Sequence, residues 1–134
     1  MEFKLAYKSY SYGMSLASCK RFTDATGLDL HPVLMEYIHK FTELKDASIL
    51  DRLTQLSKLY SREVACHLFM SITDKESHAT LDEFQDATFR VSWVQSSRDD
   101  DLSEPYPLVI VGIAMEVNRY INENIHVKKK DTSD

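Results

Sequence analysis

Residues 108–125 read LVIVGIAMEVNRYINENI, and the fold class turns on how they are read. Val and Ile crowd the first half, and β-branched residues fit a pleated strand well. A buried strand is therefore the competing assignment. Spacing decides against it. Val117, Tyr120 and Ile121 extend the apolar pattern at three- and four-residue intervals, with no turn signal before them. The stretch predicts a helix that is apolar all round for two turns and amphipathic beyond. Such a helix is either central to a core or shared with another molecule.

Upstream, SSRDDDLSEPYP (96–107) combines three adjacent Asp with two prolines and reads as a loop. Before it, TLDE (80–83) has the form of a capping box, opening a helix that buries Leu81, Phe84, Val91 and Val94 with Trp93 beside them. Residues 46–74 repeat Ile49, Leu53, Leu56, Tyr60, Val64, Leu68 and Ile72 at helical spacing. They predict one long helix, although Ser57 and Ser61 could cap a second piece. LDLHPVLMEYIHKFTEL (28–44) predicts an amphipathic helix capped by Asp29, with Leu34, Tyr37, Ile38, Phe41 and Leu44 on its apolar face. MSLASCKRFTDATG (14–27) places Leu16, Cys19 and Phe22 on one helical face and closes on Gly27. The first segment, EFKLAYKSYSY (2–12), alternates with period two and changes phase at Lys8-Ser9, as a hairpin turning there would.

Composition agrees with this reading. The 134 residues include only 3 Gly and 3 Pro, which disfavours a many-stranded sandwich. The expected fold is mainly α: a bundle of four to six helices with a short N-terminal β strand or hairpin. Length predicts a single helical domain over 1–127, and residues 128–134 read as a disordered basic and polar tail. No apolar stretch opens the chain, so no secretory leader is expected. The longest apolar run, 108–115, falls far short of the ~20 residues that span a bilayer.

Charge and motifs narrow the function. A net charge of −5, with the only basic cluster at Lys128, Lys129 and Lys130, argues against nucleic-acid binding, which rests on phosphate neutralisation. His31, His39, His67, His78 and His126 form no HExxH and no i, i+4 pair, so no metal site is expected. Asp99, Asp100 and Asp101 sit in the predicted loop without EF-hand spacing. Cys19 and Cys66 lack CxxC spacing and suit structural thiols in a reducing compartment. No GxSxG, phosphate loop or dinucleotide fingerprint occurs. The expectation is a protein that is not an enzyme and uses no cofactor. What stands out is apolar helical surface, which when exposed marks partner contacts.

The order of features is a strand, SLASCKRFTDATGLDLHPVLMEYI, a long helix, a helix opened by TLDEF, and a terminal helix. It resembles the tail assembly chaperones of long-tailed bacteriophages and related gene transfer agents. The stretch Phe22-Thr23-Asp24-Ala25-Thr26-Gly27 matches that family's Phe/Glu-rich helix end with ATG. Thr80-Leu81-Asp82-Glu83 corresponds to its Leu-Thr-x-Glu-like turn. The resemblance implies a non-catalytic protein of the host cytoplasm, not expected in the mature virion, that binds the tape measure protein and keeps it soluble. It also implies a longer frameshifted form that recruits tail tube protein, with Lys128, Lys129 and Lys130 as the possible slippage region, and possible self-association. The contact expected is a helix-in-groove one, through Leu108, Val109, Ile110, Ile113 and Met115, with support from Leu56, Tyr60 and Val64. The alternative with similar physics is a bacterial secretion chaperone holding an export substrate.

Overall fold

The computed structural model describes residues 1–6, 8–89 and 104–132, with side chains described as far as residue 124. Strands β1 (Glu2–Leu5) and β2 (Lys8–Ser11) form an antiparallel hairpin. Helices α1 (Leu16–Thr26), α2 (Leu30–Glu43), α3 (Ile49–Ser57), α4 (Arg62–Ile72), α5 (Leu81–Phe89) and α6 (Tyr106–Thr132) follow, with a 3₁₀ turn at Lys75–Ser77. The fold is mainly α, with an N-terminal strand pair. Val91, Trp93, Val94 and the three-Asp run lie outside the described residues.

The hairpin reverses earlier than its phase shift predicts. Leu5 pairs with Lys8 and Phe3 with Tyr10, so the turn precedes Lys8, with Ala6 at φ 48°. This register puts Phe3 and Tyr10 on the same face, stacked at 5.2 Å and both buried. Burial of one face is what specifies strand register. The hairpin then packs on α4 and α5, where Phe3 lies 5.2 Å from Phe69 and Tyr10 lies 5.1 Å from Phe84.

Caps explain most of the helix boundaries. The Ser15 hydroxyl accepts from the Ser18 amide and opens α1. Gly27 closes it at φ 76°, donating its amide to the Thr23 carbonyl. A Cβ there would touch nothing within 4 Å, so Gly27→Ala is expected to cost only the backbone term, about 1 kcal/mol in urea unfolding. The single long helix expected over 46–74 is two. Residue Ser57 ends α3, and the Ser61 hydroxyl accepts from the Val64 amide to start α4. The break lets α3 pack on α2 and α6 while α4 packs on α1 and α5. Asp29 occupies the α2 cap position without a side-chain capping bond. At α5 the Thr80 hydroxyl accepts from the Glu83 amide. The Glu83 carboxylate does not reach back; it accepts from Lys8 Nζ at 3.1 Å and Tyr10 OH at 3.2 Å, tying α5 to β2.

Helix α6 carries the centre of the core, with Val109, Ile110, Val111, Ile113, Ala114 and Val117 all buried. Its backbone stays helical through Lys128, Lys129 and Lys130 to Thr132, where a disordered tail was expected. No Gly or Pro follows Gly112 to interrupt it.

Tyrosine burial predicts how the fold fails in alkali. The Tyr10 hydroxyl is pushed up to about 12 by burial and by its bond to the Glu83 carboxylate, and Tyr60 to about 12 by burial and the nearby Glu36. An unfolded chain ionises these groups near 10.0, so the folded state holds protons that the unfolded state has released. Their contribution is intact below pH 10.0 and is lost as pH rises toward about 12. Melting temperature measured against pH is expected to fall across that window, in step with tyrosinate absorbance.

Candidate functional site

The predicted contact residues divide sharply on folding. Leu56, Val109, Ile110 and Ile113 are buried in the core. They are therefore not available to a partner while the protein stays folded, and the expectation is corrected. The reason is geometric: both faces of the first turns of α6 are covered, by α2 and α3 and by the hairpin. Leu108, Tyr60 and Val64 are half-buried and packed against the core, with Tyr60 lying 5.9 Å from Tyr37 across α2. Met115 stays 44% exposed.

Exposed apolar surface gathers elsewhere, where α1 begins beside the middle of α6. A cavity of about 610 Å³ opens there, lined chiefly by Met1, Met14, Leu16, Cys19, Val117, Tyr120 and Ile121. Each wall has a local cause. The Ser15 cap fixes Leu16 in the first turn of α1, and Ser18 donates its hydroxyl to the Gly13 carbonyl, which anchors that turn. Leu16 consequently stands clear of the core at 87% exposed, although it shares a face with the buried Phe22. On the far wall Val117, Tyr120 and Ile121 recur at three and four residues. Val117 is buried, Ile121 half-buried and Tyr120 60% exposed, so the stripe rises from core to solvent.

The chemistry of this groove is that of a contact surface. Beside this apolar lining stand Ser15, His31, the Cys19 thiol, the Tyr120 hydroxyl and the Met1 amino group, and no group of three His, Cys, Asp or Glu among the described residues could hold a metal ion. The two Met side chains add adaptable, polarizable walls that suit variable apolar partners. The other thiol, Cys66, is buried in the core within 3.4 Å of the Thr88 hydroxyl. No helix among the described residues is long and apolar enough to cross a membrane.

No family model, curated protein or solved structure matches this chain. Of the groove residues, sequence reasoning placed Val117, Tyr120 and Ile121 on an amphipathic face but assigned Leu16 and Cys19 to the core side of α1. The readable signal was the Ser15 cap, which puts Leu16 at the first helical position, where a side chain can overhang the end of a helix pair.

Proposed function

We propose that this protein is a tail assembly chaperone of a long-tailed bacteriophage. It holds apolar helical segments of the tape measure protein in the groove between α1 and α6. One observation carries the reading: Leu16 and Tyr120, 87% and 60% exposed, flank an apolar cavity large enough for several side chains. Monomers seldom leave such side chains gathered in the open without a partner. The resemblance through residues 22–27 and 80–83 supports the choice of partner. In this reading the protein acts in the host cytoplasm and leaves before the virion is complete. A longer form, made by slippage over the codons for Lys128, Lys129 and Lys130, recruits tail tube subunits.

Co-expression with the tape measure protein of the same genome tests the proposal. The tape measure protein is expected to move from the insoluble to the soluble fraction and to be retained on this chain. If it is equally soluble alone, or is not retained, the reading is wrong. Retention of a secreted substrate from neighbouring export genes instead would identify a secretion chaperone.

A further inference from the structure

The groove between α1 and α6 is apolar, and it also fits itself. Leu16 projects from its rim at 87% exposed, while the recess of about 610 Å³ beside it is walled by Met14, Val117 and Ile121. A two-fold contact between identical molecules needs one patch that carries both the projection and the recess. Charge permits the approach here. Each chain carries a net −5, so two copies repel through most of their surfaces, but no Asp or Glu lines this groove.

The run of α6 beyond the groove says how a second copy lies on it. Helical backbone continues to Thr132, and Asn122, Glu123 and Asn124 are exposed. Val117, Ile121, Asn124 and Lys128 recur at three and four residues, so one side of the helix extends outward from the groove wall. Charge is divided along that length. Glu116 stands before the groove, Arg119 and Glu123 offset one another beside it, and Lys128, Lys129 and Lys130 outnumber Asp131 near the end. Two such helices side by side oppose like charges if parallel and match opposite ones if antiparallel. Matching Glu116 to the lysines puts the two-fold axis at positions 122–123, directly beyond the groove's own Tyr120 and Ile121. The register that pairs the charges is therefore the one that lays groove on groove.

We propose that this chain forms an antiparallel two-fold dimer through the groove. Leu16 of each copy enters the recess of the other, and the lysine-bearing end of each α6 lies beside the other copy's Glu116. The contact is small and its charged pairs face solvent, so the dimer is weak and dissociates in the micromolar range. Its existence needs only the groove. Its consequence rests on the chaperone reading: the second copy is the groove's resting cover, and a tape measure segment must displace it.

The test is sedimentation equilibrium of the purified chain, alone, over a range of concentrations. A monomer–dimer equilibrium is expected, and Leu16→Asp should weaken it about tenfold or more. The triple substitution Lys128→Glu, Lys129→Glu and Lys130→Glu lies far from the core and tests the register. It should weaken the dimer about tenfold at low salt and match the parent in about 1 M salt, where the charges are screened. Mild oxidation of a Cys19→Ser background gives a second reading. Asn124→Cys, on the paired side and near the axis, should form a disulfide-linked dimer, whereas Arg119→Cys, on the opposite side of α6, should not. A monomer at every concentration, a dimer indifferent to Leu16→Asp, no effect of the lysine substitutions at low salt, or equal cross-linking at 119 and 124 would each overturn the proposal. Because no client is present, a monomer overturns the dimer alone, and failed retention of the tape measure protein overturns only the chaperone reading.

Discussion

Truncating Phe69 to alanine is expected to remove about 3–5 kcal/mol of stability. Phe69 is fully buried on α4, with its ring 5.2 Å from Phe3 on β1 and 5.8 Å from Phe84 on α5. It is thus the point where hairpin, α4 and α5 meet. A two-stranded hairpin has little stability of its own, so the cavity left by the ring would loosen its seat rather than one contact. Domains of this size hold about 5–15 kcal/mol in total, and the variant should be partly unfolded at moderate temperature. Urea unfolding followed by far-ultraviolet circular dichroism measures this directly. Ile110→Ala belongs to the same class at about 2–5 kcal/mol, because Ile110 is fully buried on α6. Met115→Ala, on the exposed outer face, should change stability by less than about 0.5 kcal/mol. Similar losses at positions 110 and 115 would contradict the assignment of one to the core and the other to the surface.

The second large effect is functional and should leave the fold intact. If the groove holds the tape measure protein as proposed, replacing both Leu16 and Tyr120 with aspartate weakens that retention by about 30-fold or more, the scale of a lost hot spot. Both side chains project into solvent, so neither substitution opens a core cavity. Aspartate at position 16 also falls in the first turn of α1, where a negative charge favours the helix dipole. Melting temperature should therefore stay within about 3 °C of the parent. Binding suffers because an apolar partner covering the groove must strip water from two carboxylates. Retention unchanged by the double substitution would move the contact away from this groove. A collapse in melting temperature would show that the two side chains support the core instead.

The same logic explains which parts of the structure could be read in advance. The terminal helix, the Thr80 cap and the glycine closure at position 27 are local matters and were read from the sequence; the Ser15 cap is equally local but was not. Each is decided by a few neighbouring residues, through hydrogen bonds to adjacent amides or through the left-handed backbone that glycine tolerates. The break between α3 and α4 was visible only as an option. Ser61 can cap, but an uninterrupted helix would have satisfied the same local rules. Packing of α3 on α2 and of α4 on α1 separated the two. At Glu83 the capping box was half right for a related reason. The amide bond to Thr80 is local, whereas the carboxylate found Lys8 and Tyr10, 75 and 73 residues away in the chain.

The candidate site marks that boundary most clearly. Residues 108–115 are apolar all round and Val117, Tyr120 and Ile121 form a one-sided stripe, but neither pattern says which of these surfaces the rest of the chain will cover. The sequence by itself determined that α6 would be a helix with these faces, because backbone geometry sets which residues share a side. Only tertiary structure decided that α2, α3 and the hairpin would cover the first stretch and leave the second rising out of the core beside Leu16. Burial depends on which surfaces meet, and that is settled by contacts between segments far apart in the chain.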